Sequence, residues 1–347
     1  MRVLVIGGSR FIGWHTVQRL LDNGHHVTVF HRGNTEASWP GHEVEEILGD
    51  MNELADYRQQ FVEARPDVVY HNMVIREVDA KLLCEVFDGI ADRSVMVSSM
   101  DVYRVFGRIL GTEPGEPIEG PITEDSPLRE QLYPYRGKEP RPADDPRRVM
   151  DDYDKIPAEQ VVLSHRTLPG CVVRLPMVYG PRDWQRRMFP YLRQMLDDRP
   201  YIALDSDALS WRCARGYVEN IAHGITLAIE KPESAGRLYN LCEPVGTEQQ
   251  WIERIGRAQG WDGQVLSVPR EHWEKHLKCE AHTQHHLDVS SARIREELGY
   301  SEIIDPQTAA LRTVEWERDN EPDQYDASMF DYESIDKMLR APRNARA

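Results

Sequence analysis

The chain begins MRVLVIGGSRFIGWHTVQRLLDNGHHVTVFHRGN, and the chemistry written into it is phosphate binding. A run of apolar β-formers breaks at Gly7 and a helical pattern starts at Phe11, so the turn aims the free N–H groups of a helix N-terminus at whatever lies above it. Gly7 follows the strand directly, where the chain must turn tightly. Gly13 falls on the first helical turn, where a missing side chain allows close packing or close approach of a pyrophosphate. Arg10 stands where a small residue is expected. Further on, TVFHRG places His31 and Arg32 after the second strand, in place of the acidic residue that would hold a ribose 2′-hydroxyl. An arginine there accommodates a 2′-phosphate, so Arg10 and Arg32 together point to NADP as cofactor, with NAD as the alternative. Asp50, in EEILGD, is placed to accept a hydrogen bond from an adenine amino group.

These residues need elements to hold them. Short apolar runs alternate with amphipathic segments in the rhythm of βαβ units. Strands are expected over 3–6, 26–30, 45–48, 67–70, 94–97, 171–175 and 238–241, with helices over 11–23, 52–64 and 157–166. Continuous apolar strands suit a parallel sheet covered on both faces, so the predicted fold class is α/β, a doubly wound parallel (Rossmann) sheet with a smaller α+β substrate domain. The expected division is 1–181 plus 213–242 for the dinucleotide-binding domain, 182–212 plus 243–318 for the substrate domain, and 319–347 as an appendage with a short helix near 332–339. Residues 107–148 carry eight prolines and no period, and are expected to form a mobile lid.

Composition narrows the partners. A net charge of −16 over 347 residues would repel a polyanion, which argues against nucleic acid and anionic membranes. Five scattered cysteines without a C-x-x-C pair point to a reducing compartment. No apolar run reaches the length of a membrane span, and a strand expected from residue 2 leaves no room for a leader, so the cytoplasm is the expected location. A homodimer is a further expectation.

With these motifs in place, the chain resembles an extended short-chain dehydrogenase/reductase of the NAD-dependent epimerase/dehydratase family. The resemblance rests on VLVIGGSRFIG, GD at 49–50, DVVYHN, VSSMDVY, KIPAE, RLPMVYGPRD, GRLYNL and LDVSSARIREELGY, in that order over most of residues 1–300. The arginine version of the glycine turn is similar to a divergent branch that includes chloroplast stem-loop-binding proteins, although the charge of −16 argues against RNA binding here. The resemblance implies cofactor contacts from Gly7, Ser9, Arg10, Phe11, Ile12 and Gly13, from Arg32, Asp50 and Met51, and from Lys155, Pro176 and Val178. It also implies a nucleotide sugar or related polyol as substrate.

The chemistry implied is nicotinamide hydride transfer coupled to proton transfer by a tyrosine, with a lysine one helical turn away to stabilise the phenolate and a serine on the substrate oxygen. Ser99 and Lys155 match by position. The tyrosine does not: the residue four before Lys155 is Asp151, and Tyr153 is two residues away, roughly 200° around a regular helix. Several readings stay open. Asp151 could be the acid/base, Tyr153 could reach the substrate if the helix starts after it with Asp152 or Asp154 as cap, or Tyr133 or Tyr135 could supply the phenol. Tyr153 is the preferred candidate, and a scaffold that binds cofactor without catalysis is the alternative. Arg182, with Arg212 and Arg215, could clamp a diphosphate. His272 and His276, with Cys279 or His282, are expected to face solvent, and no metal is expected.

Overall fold

The computed structural model describes residues 1–326 and 330–340. Eleven strands are present among them: β1 (Arg2–Ile6), β2 (His26–His31), β3 (Glu45–Leu48), β4 (Val68–His71), β5 (Arg93–Ser99), β6 (Gly170–Leu175), β7 (Met177–Tyr179), β8 (Tyr201–Asp205), β9 (Arg215–Tyr217), β10 (Leu238–Asn240) and β11 (Gln264–Val268). Seven form one all-parallel sheet in the order β10-β6-β5-β4-β1-β2-β3. The order reverses at β1, beside β4, and a ligand crevice belongs at the carboxyl ends there. The helices Phe11–Asp22 and Val218–Glu230 cover one face, while Glu77–Phe87 and Lys155–Ser164 pack together on the other. This is the doubly wound architecture expected from the apolar rhythm.

A smaller unit sits beyond the sheet's carboxyl edge. β8 pairs in parallel with β11, β7 pairs with β9, and the helix Glu248–Gln259 packs against both Phe189–Leu196 and Ser206–Ser210. The C-terminal helix Tyr332–Arg340 is tied to this unit through Asp336 on Arg199 and through Tyr332, which donates to Asp197 at 2.6 Å. The basic end beyond Arg340 lies outside the described residues.

Local departures from expectation have local causes. The stretch 52–64 divides into a 3₁₀ turn, Met51–Tyr57, and a helix, Arg58–Ala64, because Asp50 caps the turn tightly and Glu53 leaves helical geometry. The 107–148 segment is not loose along its length. The helix Arg104–Ile109 enters it, Ile122 bridges Val289, Leu128 bridges Tyr103, and Glu124 and Arg129 are buried. Glu124 accepts from the Asn240 amide at 2.8 Å, so this part belongs to the core, and the exposure expected of a lid is found over two stretches, 110–121 and 136–149.

One buried ion pair fastens the Lys155–Ser164 helix to the sheet. Arg174 on β6 donates to Glu159 at 2.9 and 2.6 Å, Ser98 donates to the same carboxylate at 2.5 Å, and Arg174 also reaches the Tyr103 hydroxyl at 2.9 Å. Breaking such a pair leaves an uncompensated buried charge. Arg174→Ala should therefore lower the urea unfolding free energy by about 3–5 kcal/mol, whereas Arg174→Met combined with Glu159→Leu should lose much less.

Candidate active site

The glycine turn forms a cradle at the carboxyl end of β1. Gly7 adopts φ +84°, and a Cβ on Gly13 would stand 2.2 Å from the Gly7 carbonyl oxygen, so neither position admits a side chain. Phe11 is held at φ +37°, an unfavourable value for a bulky residue that bends the chain into the helix. Arg10 is the N-cap and its side chain makes no capping bond. The first helical bond runs from Trp14 N–H to the Arg10 carbonyl, leaving the amides of Phe11, Ile12 and Gly13 directed at the cradle. The side chains of Phe11 and Ile12 themselves pack into the core.

Beside the turn lies a cavity of about 250 Å³ lined by Gly7, Ser9, Arg10, Arg32, Asp50 and Met51, together with Asn34, Thr35 and Asn72. Arg10 and Arg32 therefore line the same cavity. Arg10 Nε donates to Thr35 Oγ1 at 2.8 Å, which holds the guanidinium away from the turn and toward the β2 loop. His31, in the place of the usual acid, is hydrogen-bonded to Glu46 at 3.1 Å. Asp50 accepts from the Asn52 amide at 2.9 Å, and that bond holds its carboxyl below the usual carboxylate range. Pro176 and Val178 fall outside this cavity; Val178 is buried in β7 and Pro176 packs beside Gly216.

The second group of residues converges where β5 ends. Lys155 starts its helix, with Asp154 as N-cap accepting from the Ile156 amide at 2.9 Å. Tyr153 consequently lies off the helix. It is buried, and its hydroxyl donates to Asp101 Oδ2 at 2.7 Å, close enough to Ser99 for that hydroxyl to bear on its ionisation. Tyr135, delivered by the proline-rich segment, donates to the same oxygen at 3.1 Å, its ring 5.1 Å from that of Tyr153. Lys155 Nζ donates to the Val74 and Val97 carbonyls at 2.6 and 3.1 Å and stands 5.9 Å from the Tyr153 ring centre.

Burial, then the Asp101 charge, pushes both phenols far above their ordinary range, and burial brings the Lys155 ammonium down to about 8. Asp151 is turned away. Its carboxylate accepts from the Arg141 amide at 2.7 Å and pairs with the Arg141 guanidinium, because the short 3₁₀ turn Arg148–Asp151 ends before the helix begins. Tyr133 stands apart too, stacked under Arg136 at 3.9 Å. Asp101 is the residue that sequence reasoning missed. Its signal was a lone charge in SSMDVY directly after a buried strand.

The three arginines expected to form a clamp do not meet as one. Arg182 lies over Trp14 at 4.1 Å, and Arg212 Nε donates to Asp288 at 2.8 Å. Arg215 pairs with Glu248 under Trp251, in a second cavity of about 190 Å³ that also holds Arg187, Trp211 and Tyr191. His276 bonds Asp331 at 3.1 Å, and among the described residues no cluster of three metal-ligating side chains occurs.

A family model described as "NAD dependent epimerase/dehydratase family" matches residues 3–82 and 133–242, more than half of the chain. The chain belongs to that family. It is an enzyme of the nicotinamide-dependent epimerase/dehydratase type, and its glycine turn fits the dinucleotide, since Gly7, Ser9 and Arg10 of the turn line an open cavity and no Cβ fits between Gly13 and the Gly7 carbonyl. A UDP-glucose 4-epimerase of Neisseria meningitidis serogroup B is 28% identical over 292 residues, 78% of this chain and 84% of that protein. A 3 beta-hydroxysteroid dehydrogenase/Delta 5→4-isomerase of Mycobacterium tuberculosis is 27% identical over 285 residues, 78% of this chain and 74% of its own. The crystal structure of a UDP-glucuronic acid 4-epimerase from Bacillus cereus, bound to UDP-glucuronic acid and NAD, shares the fold: TM-score 0.65 at 19% identity, covering 92% of this chain and 99% of that one.

Two consequences are measurable. Gly13→Ala must displace the Gly7 carbonyl and should abolish cofactor binding in calorimetry while the sheet still unfolds cooperatively. Lys155 loses its proton more easily folded, at about 8, than unfolded, at 10.5. Its charge therefore opposes folding fully below pH 8, and that opposition is relieved as pH rises toward 10. Lys155→Met should gain stability over the wild type at pH 7, and the gain should shrink between pH 8 and 10 in urea titrations; a constant difference would show that burial of the charge is not the cause.

Proposed function

We propose that this protein is an NADP(H)-preferring epimerase, dehydratase or reductase acting on a nucleotide sugar or related polyol, with Tyr153 in place of the tyrosine missing at Asp151. The observation that carries this reading is that Tyr153, on Asp101 and near Ser99 at the end of β5, lies with its ring 5.9 Å from Lys155 Nζ. The bound nicotinamide would supply a hydride acceptor or donor. Ser99 would hold the substrate oxygen, Tyr153 would exchange a proton with it, and Lys155 would orient the nicotinamide ribose. The amides of the first helix would bind the pyrophosphate, while Arg10 and Arg32 would take the 2′-phosphate through charge-assisted bonds that a hydroxyl cannot make. Arg182 and Arg215 remain the proposed substrate arginines. Arg215 and Arg187, with the tryptophans around them, suit the diphosphate and base of a nucleotide sugar, Arg215 exchanging Glu248 for phosphate oxygens.

Titration of both cofactors tests the first half. NADP should bind more tightly than NAD, and Arg32→Ala should weaken NADP by about tenfold or more with little effect on NAD, as a lost charge-assisted bond implies. Equal affinities, or tighter NAD, would reject it. A panel of UDP- and dTDP-sugars, with 3β-hydroxysteroids as the contrasting class, tests the second. Tyr153→Phe should lower kcat on the accepted substrate by about 10²–10⁴ with cofactor affinity nearly unchanged. Turnover that survives Tyr153→Phe but not Asp151→Asn would assign the acid/base to the carboxylate. Binding without turnover anywhere in the panel would indicate a scaffold.

A further inference from the structure

Asp101 is 5% exposed and carries more hydrogen bonds than its place after a strand requires. Its main chain is held at both ends: the amide donates to Ser99 Oγ at 3.2 Å, and the carbonyl accepts from Arg129 Nε at 2.5 Å. Its side chain is then committed to the site, with two phenols donating to Oδ2. The second oxygen, Oδ1, is buried and has no partner among the described residues. A structural acceptor for two hydroxyls needs no charge, and an ionised carboxylate left half-satisfied is expensive to bury. The charge therefore calls for a use.

The lysine does not supply the phenolate in the usual way. Two of the three Lys155 protons are spent on the Val74 and Val97 carbonyls, and the nearest negative charge to Tyr153 is Asp101 itself. A phenolate beside that carboxylate would be repelled, so the tyrosine rests as a neutral phenol with a base behind it.

We propose that Asp101 is the proton acceptor of this site, acting through Tyr153, with Tyr135 as a second donor that holds the carboxylate in place. The inference rests on the proposed hydride-transfer reading. In the oxidising direction the substrate O–H bond breaks and its proton passes to Tyr153 Oη. The Tyr153 O–H bond breaks in the same step, and Asp101 Oδ2 takes that proton. A bound oxidised nicotinamide would supply the acceptor for the C–H electron pair as hydride, so that the alcohol would become a ketone while the Asp101 carboxylate becomes a neutral acid. The reverse direction returns the proton along the same path. Asp101 is thus a positioning and relay residue, and the tyrosine never carries a full charge. The charged groups facing this cluster are Lys155 and Arg129 on the positive side and, around Lys155, Glu159 and Asp79 on the negative side, with His71 kept neutral by burial.

The test reads the tyrosines directly and needs no substrate. In the cofactor-free protein, ultraviolet titration of phenolate absorbance should show that Asp101→Asn brings one extra tyrosine into ionisation a unit or more below its wild-type position, and that adding Tyr153→Phe removes it. Asp101→Ser serves as the second variant if the amide impairs folding. An ionisation curve unchanged by either substitution would overturn the proposal, whether or not the protein turns over a sugar. On an accepted substrate, wild-type oxidation should be flat through neutral pH. In Asp101→Asn it should be slower by about 10² at pH 7 and climb tenfold per pH unit, because the phenol must then ionise unaided. A wild-type rate that itself climbs tenfold per unit through neutrality would also overturn it.

Discussion

The buried carboxylate of Asp154, only 1% exposed, ties three parts of the site together. One oxygen accepts from the Ile156 amide and pairs with Arg129 at 3.3 Å, while the other accepts from the Tyr133 amide at 2.6 Å. The first bond starts the helix at Lys155 and not upstream. Tyr153 is thereby released from helical geometry, which would have pointed it away from the lysine face. The bonds to Arg129 and Tyr133 bind the proline-rich segment to the same point, so Tyr135, two residues on, arrives against Tyr153. The placement of both phenols against Asp101 follows from where one cap falls.

The pair Arg129–Asp154 is buried on both sides, and burying two charges is a poor source of net stability. Its effect is positional. Arg129 also holds the Asp101 carbonyl, so a single guanidinium sets the distance between the cap and the carboxylate that receives both phenols. Lys155 is positioned by the ends of the sheet, through carbonyls beyond β4 and on β5. These constraints set the Tyr153 hydroxyl on Asp101 and near Ser99, although the tyrosine lies two positions from where the family's pattern would put it.

The sheet was legible because most of its strands are short and apolar on both faces, a pattern that needs no distant information; the exposed edge strand β3, EEIL, is the exception. The glycine turn was legible for the same reason. Gly7 and Gly13 answer to backbone geometry within a few residues. The start of the Lys155 helix was not. Asp151, Asp152 and Asp154 are all competent caps, and the choice among them is made by Arg129 and Tyr133, more than twenty residues upstream. The partners of the arginines expected to clamp a diphosphate were hidden similarly, since Arg215 meets Glu248, and Arg212 meets Asp288, only once the smaller unit has formed. The helix Arg104–Ile109 was lost among prolines because six residues are too few to show a period.

In the function proposed above, the late start of the Lys155 helix would set Tyr153, and not Asp151, at the reacting carbon. A crystal structure of the binary complex with NADP tests it most directly. The account predicts nicotinamide C4 facing the Tyr153 hydroxyl and Ser99, with Asp154 still capping at Lys155 and Asp151 still on Arg141. A helix extended upstream, with Asp151 beside C4 and Tyr153 outside the site, would contradict it.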